Sequence, residues 1–119
     1  MSLTVTIKER HERSYLVTLE GRLDTSTYVD FEEAIRPVLT SSPKLLIFDL
    51  DKLDYISSMG IRSIVSTRKA IKSRDGHAVL INLQPQIQKL FEIVGALPKE
   101  SVFASMKEAD EYFEFIQKK

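Results

Sequence analysis

The 119-residue chain is 43% apolar and carries 17 basic and 17 acidic residues, a formal net charge of zero. That composition fits one domain over residues 1–119 with enough apolar side chains for a core, and it lacks the basic surplus that a phosphate backbone requires, so nucleic acid is not an expected partner. The absence of cysteine excludes disulfides, thiolate metal sites and thiol catalysis, and is compatible with a reducing cytoplasm.

The N-terminus MSLTVTIKERHERS alternates and then turns charged, where a signal peptide would carry an unbroken apolar stretch. No run approaches the roughly 18 apolar residues of a membrane span, so a soluble, cytoplasmic chain is expected, with no membrane partner. Leu3, Val5 and Ile7 share one face of a strand, and Tyr15 to Gly21 follows after the charged turn RHERS, which predicts an antiparallel hairpin. Tyr28, Phe31, Ile35, Val38 and Leu39 then recur at helical spacing behind good capping residues, predicting a helix from about Thr25 to Leu39 with Pro37 near its end. Lys44 to Leu50 is a near-continuous apolar run, as in a strand covered on both faces.

A loop, DKLDYIS, is expected next, and then a helix opening at Ser58 with Ile61, Ile64, Val65, Arg68 and Lys72 on one stripe, the last two reaching along their stems to water. His77 to Leu83 reads as a second buried strand. Pro85 suits a helical first turn, Ile87, Leu90, Phe91 and Val94 fall on one face, and Gly95 marks the stop. SVF is a short strand, and Ser105 with Glu108 forms a capping box ahead of Ala109, Tyr112, Phe113 and Ile116. The tail Gln117 to Lys119 is expected to fray. The predicted class is α/β, with a mainly parallel sheet of four or five strands, an antiparallel hairpin at its edge and helices mostly on one face.

Two features could carry chemistry. Asp49-Leu50-Asp51 directly after a strand has the Asp-x-Asp arrangement in which haloacid-dehalogenase-like phosphatases hold a nucleophile and a general acid. However, Lys52 and Leu53 replace the small residue and Thr or Val that follow there, and no later acidic pair supplies a metal site. Asp51 and Asp54 read as solvated loop residues and Asp49 as an acid at the carboxyl edge of the sheet. A nucleophile elbow fails as well, since Ile56 stands where glycine is needed two residues before Ser58, and neither His11 nor His77 has a cue placing it near that serine. No catalytic residue, metal or cofactor is assigned.

The second feature is Ser58 at a helix start. Unmodified, it can cap free backbone N–H groups, and modified it can hold a phosphate there. A phosphate adds about −1.5 to −2 charges, and beside Asp24, Asp49 or Asp54 it would make a mildly acidic surface strongly acidic. A serine before a helix is most often only a cap, so the position alone assigns nothing.

The wider pattern does more. LEGRLDTST (Leu19 to Thr27), LLIFDLDKLDYISSMGIRSIV (Leu45 to Val65), INLQPQIQKLFEIVGA (Ile81 to Ala96) and VFASMKEAD (Val102 to Asp110) together resemble the STAS domain of bacterial anti-sigma-factor antagonists. The resemblance implies a partner switch. The unmodified antagonist binds a serine kinase that otherwise sequesters a sigma factor, the kinase phosphorylates it and lets go, and a metal-dependent serine/threonine phosphatase resets it. On that pattern Ser58 matches the phosphoacceptor, Asp24 the acid near it, and Gly60 the glycine that lets the helix start close to the sheet. The chain is then a substrate and a binding module, and ATP belongs to its partner.

Ser57 and Met59 depart from the family's usual Asp before and Ser or Thr after the acceptor. Ser57 is thus an alternative acceptor, and Met59 is either an apolar docking contact or a covered residue. Arg62, four positions after Ser58, is placed to pair with its phosphate. Arg62, Ser66, Lys69 and Ser73 form an exposed helical face. The alternative function is a STAS-type scaffold that does not switch, or a sensor of a small ligand or nucleotide.

Overall fold

A computed structural model describes residues 2–11 and 13–117; Glu12 of the charged turn and the last two residues of the tail lie outside the described residues. Strands β1 (Leu3–His11) and β2 (Ser14–Leu23) form the expected antiparallel hairpin. Helix α1 (Tyr28–Thr40) leads to β3 (Leu45–Ile56), α2 (Ser58–Lys72) to β4 (His77–Ile81), and α3 (Pro85–Ile93) through a 3-10 turn to β5 (Val102–Phe103). Helix α4 (Met106–Gln117) ends the described chain. The sheet order is β1-β2-β3-β4-β5, with β2 through β5 parallel.

Alternation along the strands sends side chains to two cores. Val17, Leu19, Leu23, Leu46, Phe48, Leu50 and Leu80 meet Phe31, Ile35, Ile61, Ile64, Ile87 and Phe91, so α1, α2 and α3 cover one face. Leu45, Ile47, Val79 and Ile81 meet Ala109, with Phe103, Tyr112 and Phe113 packed around them, so α4 alone covers the other.

The end of β3, the start of α1 and the side chain of Arg68 differ from the expectation. β3 does not end at Leu50: it runs on through the segment read as a loop, pairing Lys52, Leu53, Tyr55 and Ile56 with Glu20 to Leu23 across two register shifts. Asp51 and Asp54 are therefore exposed strand residues, and the charges that suggested a loop mark a solvent-facing edge. Beyond Asp49, β4 no longer pairs with β3, and the Gln84 side chain takes its place: its Nε2 donates to the carbonyls of Asp51 (2.7 Å) and Leu53 (2.9 Å). Helix α1 starts at Tyr28 rather than near Thr25, because the Asp24 carboxylate accepts from the N–H and hydroxyl of Ser26 and holds these residues in a turn. Arg68 turns mostly inward instead of out to water, its side chain 13% exposed. Its Nε donates to the Ala78 carbonyl (3.2 Å) and its Nη2 to Ser101 Oγ (3.0 Å), tying α2 to β4 and the 3-10 turn.

Helix α4 is held by packing and by two titratable contacts. Arg10 on β1 grips Asp110 through two hydrogen bonds of 2.8 and 2.9 Å, which hold the Asp110 carboxyl below its usual range. His77 packs edge-on to the rings of Tyr112 and Phe113, and burial pushes its imidazole pKa down. Both groups are depressed in the folded state, so both contributions are lost as pH falls. Acidification is expected to loosen α4 first below about pH 6.5, when His77 protonates more readily in the undocked chain, and again below about pH 4, when Asp110 does. Amide exchange of α4 across pH checks this, and His77→Phe should remove only the first step.

Candidate functional site

The turn that carries Ser57 and Ser58 is built where the end of β2 hands the chain to α1 and the end of β3 hands it to α2. Leu23 pairs with Ile56, and one step further the Ser57 N–H donates to the Leu23 carbonyl at 2.9 Å. Ser57 has extended backbone (φ −91°, ψ 172°), and its Oγ accepts from the Gly60 N–H at 3.1 Å while its carbonyl accepts from the Ile61 N–H at 2.9 Å. The N-cap of α2 is therefore Ser57. The expectation that Ser58 caps is corrected: Ser58 is already the first residue of α2, and the capping hydrogen bond from the Gly60 N–H goes to Ser57 instead. Ser58 is exposed, and among the described residues its Oγ has no hydrogen-bond partner.

Gly60 lies against the sheet. A Cβ there would stand 2.6 Å from the Leu23 carbonyl oxygen and 2.8 Å from Leu23 Cγ, so only glycine lets α2 begin this close to β2. Met59 is half-buried.

Asp24 follows Leu23 and so shares this end of the sheet, but its carboxylate is engaged locally. Oδ1 takes the Ser26 hydroxyl at 2.7 Å and the Ser26 N–H at 2.9 Å, and Oδ2 lies 3.5 Å from Arg22 Nε. The Ser26 contacts, hydroxyl first, hold its carboxyl below the ordinary range. Arg22 in turn stacks on Tyr55, its Cζ 4.4 Å from the ring centroid. This Arg22-Tyr55 pair escaped the sequence reading, because it becomes visible only once β3 is extended far enough to set Tyr55 beside Arg22. Asp49 is not a neighbour of the turn. It lies eight residues before Ser57 along the chain, roughly 26 Å at a strand's rise of about 3.3 Å per residue, and it accepts from Asn82 Nδ2 at 3.1 Å.

On the other side of Ser58 runs a groove of about 410 Å³, lined by Ser58, Ile61, Arg62, Val65, Val94 and Ala96. Val94, placed by periodicity on the buried face of α3, instead follows the helix end and is 45% exposed, with Ile93 beside it 69% exposed. Arg62, Ser66, Lys69 and Ser73 are all exposed, as their spacing predicts.

Residues 5–109 match the model of the STAS domain. The chain belongs to the STAS domain family. BtrV of Bordetella bronchiseptica, which bears the name of an anti-sigma factor antagonist, is 30% identical to this STAS domain over 69% of the chain and 71% of its own length. Among solved structures, an anti-sigma factor antagonist from Mycobacterium paratuberculosis superposes with a TM-score of 0.83 at 21% identity, covering 95% of both chains. The Bacillus cell fate determinant SpoIIAA in its phosphorylated form gives 0.73 at 17% identity, over 92% of this STAS domain and 98% of SpoIIAA. These two likenesses establish the shared fold. Among the described residues of this STAS domain no helix is long and apolar enough to cross a membrane, and no group of three His, Asp or Glu side chains converges as metal ligands.

Proposed function

We propose that this STAS domain is an anti-sigma-factor antagonist that binds an anti-sigma serine kinase when Ser58 is unmodified and releases it when Ser58 is phosphorylated. The observation that carries the reading is the division of labour between two adjacent serines. Ser57 spends its hydroxyl on the Gly60 N–H and its own N–H on Leu23, whereas Ser58 leaves an exposed and unengaged Oγ one residue into the helix. A kinase can reach Ser58 without dismantling the helix start; modifying Ser57 would remove the cap. Ser58 is therefore the acceptor and Ser57 its support. The names of the antagonist relatives, and the phosphorylated form in which one of them was solved, agree with this.

In chemical terms, Ser58 Oγ bonds to the γ-phosphorus of the kinase's ATP as the bond to ADP breaks, and the hydroxyl proton passes to a base of the kinase. Hydrolysis by a metal-dependent serine/threonine phosphatase returns serine and inorganic phosphate. The domain itself contributes no catalytic residue, cofactor or metal, and it works in the cytoplasm with its partners. Asp24, Met59, Gly60 and Arg62 frame the binding surface around the acceptor.

The test is intact-mass spectrometry with site mapping after incubation with ATP and an anti-sigma kinase. One added phosphate on Ser58 is expected, persisting in Ser57→Ala and absent in Ser58→Ala. No phosphate under any condition, with the kinase still bound, would favour instead a constitutive scaffold or ligand-sensing module.

A further inference from the structure

Ser58 and Arg62 both line the groove between α2 and the segment after α3, and the remaining lining, Ile61, Val65, Val94 and Ala96, is apolar. Among the described residues that line the groove, Arg62 thus carries the one formal charge. It is exposed and, among the described residues, has neither an ion pair nor a hydrogen bond. The other two arginines nearby are occupied, Arg22 by Asp24 and Tyr55 and Arg68 by Ala78 and Ser101. The cation beside the acceptor therefore keeps its forked set of N–H donors unspent. On a helix, side chains four apart are neighbours with Cβ atoms about 5–6 Å apart, and an acid placed N-terminal to its base is the better orientation. Arginine also matches phosphate oxygens two at a time.

We infer that phosphorylated Ser58 is gripped by Arg62 across the mouth of the groove, so that one modification both takes the cation and roofs the apolar slot. This rests on Ser58 being the acceptor and specifies how its phosphate is read. The unmodified face offers a guanidinium beside an apolar slot, which fits a kinase segment carrying an apolar side chain next to a carboxylate. The modified face offers neither. Repulsion by the phosphate alone gives Arg62 the opposite role, since removing it would leave the phosphate unscreened and sharpen the switch, whereas here removing it leaves the slot open and blunts the switch.

The experiment installs phosphoserine at position 58 during synthesis, without any kinase, and follows the phosphate by ³¹P NMR as pH is varied. Three chains are compared: the parent, Arg62→Gln and Arg62→Lys. The second phosphate ionisation, about 6 in free phosphoserine, is expected to lie lower in the parent than in Arg62→Gln by about half a unit or more, a roughly threefold preference for the dianion. Arg62→Lys should fall between them. The methyl signals of Val65 and Val94 should shift on phosphorylation in the parent and far less in Arg62→Gln. Backbone N–H groups at the helix start act equally in all three chains, so the difference isolates Arg62. Identical titrations in parent and Arg62→Gln overturn the inference. Because no kinase takes part, that failure leaves Ser58 standing as acceptor, and failure to find a kinase leaves this result intact.

Discussion

Phosphorylated on Ser58, the chain is expected under the proposed function to bind an anti-sigma kinase about a hundredfold or more weakly than the unmodified chain, a loss of about 3 kcal/mol. The neutral hydroxyl can enter an interface with little desolvation. A phosphate brings about −1.5 to −2 charges to a surface where Arg62 lines the same groove and, on the inference above, turns toward it. Any acidic side chain of the kinase that met Arg62 then faces the phosphate. Calorimetric titration of ADP-loaded kinase into chains with serine, alanine or phosphoserine at position 58 measures the effect. Ser58→Ala should bind like the parent and resist release by ATP. Ser57→Ala should lose the α2 cap, about 1 kcal/mol of stability, and still be switched through Ser58. Equal affinities for the serine and phosphoserine chains would refute the switch.

Gly60→Ala is expected to lower stability by about 1–3 kcal/mol, even though alanine usually favours a helix over glycine by about 1 kcal/mol. The added methyl would overlap the Leu23 carbonyl oxygen and the Leu23 side chain, and the first of these is backbone at the end of β2, already accepting from the Ser57 N–H. Relief requires the start of α2 to lift away from β2, which breaks the Ser57 N–H contact to Leu23 and moves Ser58 with it. Urea unfolding should therefore show a lower midpoint with an unchanged slope, and the same variant should bind the kinase less well without any phosphate. A Gly60→Ala chain as stable as the parent would mean that the helix start yields cheaply and does not position the acceptor.

The turn at Ser58 was legible in the sequence because an apolar strand, a serine pair and an amphipathic helix follow one another without interruption. Which serine caps was not legible: Ser57 and Ser58 are chemically identical, and only the backbone dihedrals of the folded chain separate the cap from the first helical residue. The length of β3 was obscured for a related reason. Asp51, Lys52 and Asp54 look like loop residues, yet in a strand lacking a β4 neighbour they simply face water while Leu53 and Ile56 go inward. Gln84, which serves the exposed carbonyls of that edge, carried no local signal because its partners lie 31 and 33 positions away. Arg68 was misread from its charge alone; its anchoring carbonyl on Ala78 belongs to a different strand. Helical periodicity over-extended α3 to Val94, since spacing cannot tell where a helix leaves the core, and this concealed the apolar wall of the groove.

The strand order, identical to the order of synthesis, bears on how the chain acquires its structure. Each new strand lies against the one made just before it, so a polypeptide emerging from the ribosome can extend its sheet outward from the hairpin without waiting for a distant partner to appear. Loop closures are correspondingly short, which limits the entropic delay of a parallel sheet. The exception is the Arg10 grip on Asp110, a contact 100 positions apart. It can form only when nearly the whole chain is available, and so it acts as a late latch: nascent chains are expected to display the α2 surface before α4 has closed the opposite face.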